Sequence, residues 1–200
     1  MALRMTDSGT GPESTPSGQA KNGNVWDRAI LFLQRCQNHK GSNDQPWALE
    51  DGGFIYATEP ESKVEGNPTQ SYGTMTYAGL LSFIYSKVSK EDPRVQAAYR
   101  WIQERYTLEE NPMMGAQGLY YGYHTMAKAL AAMGGDTIKD GQGRVHRWRE
   151  ELVEKLVSLQ HVDGYWVNTG SKRWLEDNQE LVTVYTLLAL QQAMDITSAR

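Results

Sequence analysis

Three times along the chain an amphipathic helix ending in glutamine gives way to a glycine- and aromatic-containing loop, a greasier helix and a polar connection. A unit of that kind cannot bury its own apolar face and must stack on its neighbours, so the repeat restricts the fold to an all-α array of hairpins. The spacing predicts the first helix of each unit at Trp26–Asn38, Pro93–Tyr106 and Val145–Gln160. It predicts the second at Tyr72–Val88, Leu119–Met133 and Leu181–Met194. The repeats then run over about 25–90, 91–140 and 141–196, within one domain spanning 25–200.

The two kinds of helix differ in pattern. Trp26, Ile30, Leu33 and Cys36 follow three-and-four spacing, as do Val95, Ala98, Ile102 and Tyr106, and Trp148, Leu152, Leu156 and Leu159. Each is a single stripe, the mark of a helix with one face on a core. The second helices are apolar on most sides (Met75, Tyr77, Ala78, Leu80, Leu81, Phe83 and Ile84 in the first) and carry small residues that permit close approach. Such helices are expected inside. Asp92-Pro93 supplies a helix start, and Gly134-Gly135 a left-handed stop.

Residues 1–24 are rich in Ser, Gly, Pro and Thr and are expected to form a disordered leader. No secretory pattern precedes the repeats, so a cytoplasmic location is the default expectation. Apolar runs such as Val182–Leu190 are too short to span a membrane. A net charge of -4 spread along the chain gives no basic stripe for nucleic acid. The single cysteine excludes an internal disulfide and a multi-cysteine zinc site, and Cys36 is expected as a buried thiol. Against 3 Phe stand 11 Tyr and 6 Trp, a bias that suits cavity walls and loop packing.

The segment Leu156-x3-Gln160-x3-Gly164-x-Trp166 resembles the "QW" repeat of squalene and oxidosqualene cyclases. Decayed forms of the same register follow Gln37, in Asp51-Gly52-Gly53-Phe54, and Gln103, in Gly115-Ala116-Gln117-Gly118-Leu119-Tyr120. With Ser71–Leu80 and Gly118–Leu130, these motifs make residues 25 to 195 similar to prenyltransferase/squalene oxidase repeat proteins and to the C-terminal half of a squalene-hopene cyclase. The resemblance implies an α/α-toroid with inner and outer helix layers. It also implies a structural role for Gln160, Gly164 and Trp166, the amide bonding backbone at a helix end and the indole stacking against it.

The same resemblance sets the chemistry to look for. A squalene-type cyclase protonates an alkene with an Asp-x-Asp-Asp run, and this chain has none; its closest pair is Asp136 and Asp140. The Asp-Asp-x-x-Asp motif that holds Mg²⁺ and diphosphate is absent, and Gln34 stands where a prenyltransferase zinc site needs Asp two residues before Cys36. No metal and no cofactor is expected. What remains is an aromatic cluster at the starts of the second helices. Tyr72, Met75, Tyr77, Gln117, Tyr120, Tyr121, Tyr123 and Trp174 are candidate substrate-binding residues, with inter-helix packing as the alternative for the tyrosines.

His124 and Asp177 are the candidate catalytic groups, although a core histidine is common and the pairs Glu50-Asp51 and Glu176-Asp177 also read as solvated turn carboxylates. His39, His146 and His161 read as surface residues. Two functions follow. One is a terpenoid-cyclase-related domain holding an apolar polyprenyl or triterpene-like substrate, with cyclase-like isomerase or lyase activity if active. The other is a non-catalytic toroid that binds a protein, peptide or glycan. Three hairpins trace about half of a ring of five to seven, so the chain is expected to be part of a larger toroid, to pair with a copy, or to close as a six-helix bundle.

Overall fold

The computed structural model describes residues 24–194. Among the described residues the fold is all-α, with six α-helices: α1 (Val25–Cys36), α2 (Gly73–Tyr85), α3 (Pro93–Glu104), α4 (Leu119–Met133), α5 (Trp148–Ser158) and α6 (Gln179–Met194). The expected leader lies outside the described residues except for Asn24, which caps α1. Its Oδ1 accepts the amides of Trp26 at 2.8 Å and Asp27 at 3.1 Å, and the Asp27 carboxylate accepts the Asn24 amide in return. Asp92 does the same for α3, accepting the Arg94 amide at 2.9 Å with Pro93 in the first helical position. Gly134 and Gly135 take positive φ and end α4.

One helix starts later than its sequence pattern. Val145–His146 form β2, paired antiparallel with β1 (Ile138–Lys139), and α5 begins only at Trp148. The Asp140 carboxylate organises the intervening turn, accepting the amides of Gln142 and Arg144 at 2.9 Å each. Those side-chain bonds offer the backbone an alternative to helix.

The second helices α2, α4 and α6 lie side by side with α4 in the middle; α1 and α3 pack on α2, and α5 packs on α6. The core runs through this arrangement from Leu80 and Phe83 of α2, through Tyr123, Met126 and Leu130 of α4, to Val182 and Ala189 of α6. Trp101 and Ile102 of α3 and Trp148, Leu152 and Leu156 of α5 complete it from the first helices. Stripe positions behave unequally: Cys36 is buried but Trp26, Ile30 and Leu33 are only half-buried, and Leu159 is exposed. Burial pushes the Cys36 thiol up to about 11, which keeps it protonated and unreactive.

Glutamines stitch the units together. Gln37 donates through Nε2 to Gly52 O at 2.9 Å in its own loop and to Arg94 O at 2.8 Å in the next unit. Gln103 donates to Lys139 O at 3.0 Å, in the connection that ends its own unit. Gln160 makes the local one, to Gly164 O at 2.9 Å. The first and third loops also share a further pattern. The amide of Phe54 donates to Thr76 Oγ1 and that of Trp166 to Thr183 Oγ1, both at 3.1 Å. The Trp166 indole donates to Leu156 O at 2.7 Å, fastening the loop to the last turn of α5.

Candidate functional site

The loops before α2, α4 and α6 meet at one end of the array. Arg173 of the third loop donates through Nη1 to Lys63 O of the first loop at 3.1 Å and to the Gln117 side chain of the second. One guanidinium therefore joins all three loops. Lys63 lies over the Tyr56 ring at 4.0 Å and Arg173 over the Trp174 ring at 4.4 Å. Trp174 and Leu175 both sit in left-handed backbone, at φ 58° and 62°, which costs an L-residue about 1–2 kcal/mol each. Trp174 is 44% exposed and lies over Gly118 at the start of α4, where a Cβ would come within 3.0 Å of the indole.

Beneath this junction the N-termini of α2 and α4 are each closed by a side chain from the loop of the following unit. Asn111 Oδ1 accepts the Thr74 amide of α2 at 3.0 Å, and its Nδ2 donates to Gln117 O. Glu176 Oε1 accepts the Tyr121 amide of α4 at 2.9 Å, and Asn168 donates to Oε2 at 2.6 Å. Glu176 is fully buried, so the pair Glu176-Asp177 is not a solvated turn: one member caps a helix and only Asp177 is exposed. Burial raises the Glu176 pKa, and the bonds from Tyr121, Asn168, Leu119 and Tyr120 pull the other way.

The tyrosines separate into two groups. Tyr120 and Tyr123 are buried, edge-on to each other at 5.7 Å, and Tyr123 donates its hydroxyl to Leu108 O at 2.6 Å. Tyr77 is buried as well, and Met75 packs partly buried against the core. The space enclosed between Tyr77, Leu119, Gly122, Tyr123 and Met126 is about 10 Å³, room for a single water. These residues pack helices together. A larger, open hollow of about 420 Å³ lies elsewhere, between Arg105, Tyr106, Glu109, Glu110 and Met113.

The second group stays accessible. Tyr121 is 38% exposed, and its ring lies 5.3 Å from that of Tyr185 and 6.3 Å from that of His124. His124 and Tyr185 stack at 6.3 Å with their planes 17° apart. His124 is neutral: burial lowers its pKa and Lys128, one turn on, lowers it further. Its Nδ1 is buried with no hydrogen-bond partner. Tyr72, the N-cap residue of α2, is buried nearby; burial raises its pKa, the hydroxyls of Tyr56 and Tyr121 add to that, and Arg173 opposes it.

Of the two candidate catalytic groups, His124 belongs to this aromatic face, whereas no hydrogen bond or ion pair joins Asp177 to it. Tyr185, Asn111, Asn168 and Arg173 were not readable as site residues, because their partners lie in other units. His146, expected on the surface, is half-buried between two carboxylates: Nε2 is 3.1 Å from Asp140 Oδ2, and Nδ1 is 3.0 Å from Glu151 Oε2. Among the described residues no group of three or more His, Cys, Asp or Glu is arranged to hold a metal, and no helix is long and apolar enough to cross a membrane. Comparison of the chain with protein-family models, with curated proteins and with solved structures gives no match in any of the three.

Proposed function

We propose that the chain is a squalene-cyclase-like helical-hairpin domain that binds an extended apolar ligand of polyprenyl or triterpene type on the face shared by α4 and α6. The observation that carries this reading is the cluster of Tyr121, His124 and Tyr185, one exposed and two half-buried rings within 6.3 Å of one another, the imidazole neutral. Ring faces of this kind offer apolar area and a negative quadrupole at little entropic cost. The Gln160–Gly164–Trp166 motif and the bond from Gln37 to the next unit add support for the resemblance.

Catalysis is a separate matter. Protonating an alkene needs a strong acid aimed at the ligand. Glu176 is committed to the N-terminus of α4, Asp177 is exposed, and neutral His124 presents a lone pair or a weak N–H. The domain is proposed to hold its ligand without cyclising it. Incubation with squalene or geranylgeranyl diphosphate tests both parts: intrinsic fluorescence reads binding, and mass spectrometry reads products. Quenching without product is the expected outcome. A cyclised product restores the enzyme reading, and the absence of quenching with either compound removes the isoprenoid reading.

One observation favours a second reading. The aromatic face is open, whereas pockets for small molecules usually enclose about 300–1,000 Å³. An open aromatic face also suits an extended peptide or glycan held by a non-catalytic scaffold. Quenching by oligosaccharides or peptides but not by isoprenoids selects that reading.

A further inference from the structure

Helix α6 is apolar on nearly all sides but is covered on only one. Val182, Thr186, Ala189 and Ala193 are buried against the rest of the fold. On the far side Val184, Leu187 and Leu188 are 51%, 53% and 39% exposed. A helix with this pattern is normally enclosed, and a contiguous exposed apolar stripe marks a contact surface.

The way the units join bears on that face. The middle helix α4 is flanked by α2 on one side and α6 on the other. Each earlier helix start is closed by the following unit, Asn111 serving α2 and Glu176 serving α4. At α6 the Leu181 amide is instead accepted by Asn178 from the same loop, at 2.8 Å. The side of α6 away from α4 thus continues a helix-on-helix surface already used twice within the chain.

The stripe is also self-complementary. Glu180, Val184, Leu187 and Gln191 are all exposed and are spaced four, three and four residues apart. That order reads polar, apolar, apolar, polar in both directions. An antiparallel copy centred between Val184 and Leu187 sets Val184 against the partner's Leu187 and Glu180 against the amide of the partner's Gln191. Four-three spacing is also the geometry of paired helices that interdigitate at a shallow crossing angle.

We propose that the bare flank of α6 pairs with α6 of a second copy of this chain, antiparallel and about a two-fold axis. Two-fold pairing is the commonest form of homo-association, and it closes on itself. A contact one helix wide falls among small interfaces, below about 1,200 Å², so association in the micromolar range is expected. The proposal is independent of the ligand, since it uses the face of α6 that carries Val184 and Leu187 and not Tyr185.

Sedimentation equilibrium of the full 200-residue chain across micromolar concentrations tests it. The apparent mass is expected to rise from 22.5 kDa towards twice that value. Val184→Glu and Leu187→Lys, each on an exposed position, are expected to keep the helical circular dichroism of the parent and to stay monomeric alone. Mixed in equal amounts they are expected to regain the doubled mass, because Glu at 184 then faces Lys at 187 of the partner. Tyr85→Lys, a change at an exposed position of α2, is expected to leave the dimer intact. A parent that stays monomeric overturns the proposal. So do a dimer that survives both single changes, a mixture that fails to re-associate, and a mass that grows beyond two copies as head-to-tail pairing would give.

Discussion

The carboxylate of Glu176 accepts the backbone N–H of Tyr121 at 2.9 Å across 55 residues of sequence. That bond places a buried carboxyl oxygen at the N-terminus of α4 as the acceptor for an amide with no partner inside the helix. It also holds the loop carrying Arg173 and Trp174 over Gly118 at the start of α4.

Replacing Glu176 by Ala leaves the amides at the start of α4 and the Asn168 side chain without their acceptor. The expected loss is about 2–3 kcal/mol of unfolding free energy, measured by urea denaturation. The amide of Tyr121 should also exchange with deuterium faster than those in the middle of α4. Unchanged stability contradicts the capping role.

Two glycines on neighbouring helices should respond in opposite ways. A Cβ at Gly79 would sit 2.4 Å from the Phe54 ring, so Gly79→Ala is expected to destabilise by about 1–3 kcal/mol. A Cβ at Gly122 would meet nothing nearer than 3.6 Å, at Thr74 Oγ1. Gly122→Ala is therefore expected to be neutral or to stabilise by up to about 1 kcal/mol through helix propensity. Thermal melts of the two variants decide it.

The helix-end glutamines are not equivalent. Gln37 is fully buried and donates to two carbonyls from two units, whereas Gln160 is exposed and donates to one. Gln37→Ala is expected to cost about 2–3 kcal/mol and Gln160→Ala less than about 1 kcal/mol in chemical denaturation. Equal costs contradict the assignment of Gln37 as the contact joining the first two units.

His124 gives stability a pH dependence whose sign is fixed by its environment. The fold favours the neutral ring, so the folded pKa lies below the ordinary 6.5. As pH falls through 6.5 the unfolded chain takes up the proton first, and the stability due to His124 is lost down to the folded value. Urea denaturation from about pH 7 to about pH 5 should therefore show a steeper decline for the parent than for His124→Gln. Parallel slopes contradict the buried, neutral assignment.

The helices were readable because their apolar periods are strong and two of their ends are marked by Asp92-Pro93 and Gly134-Gly135, whereas Asn24, which caps α1, was counted with the leader. Of the second helices, all expected inside, α2 buries Leu80 and Phe83 and α4 buries Ala127 and Leu130, whereas α6 leaves Val184, Leu187 and Leu188 exposed. The start of α5 was not readable, because Val145 and His146 continue a helical pattern and only the Asp140 turn draws them into a hairpin. Glu176 resembled any loop carboxylate; its burial depends on donors of α4 that no local pattern reveals. Asn38 escaped notice for the same reason: its amide donates to Thr69 O and Ser71 Oγ at 2.8 Å each, folding a long first loop back on itself. Within the run Tyr120-Tyr121-Gly122-Tyr123, sequence indicated that the rings diverge, while only the packing selects Tyr121 as the accessible one.

The claim at the centre of this account is that the rings of Tyr121, His124 and Tyr185 form the binding surface for an apolar chain. Aromatic ¹H–¹³C NMR during titration with a soluble isoprenoid alcohol such as farnesol measures it directly. The account predicts saturable shifts at those three rings, none at buried Tyr120 and Tyr123, and loss of the response in a Tyr121→Ala, Tyr185→Ala double variant. Shifts confined to other aromatic residues, or no saturable shift, would contradict it.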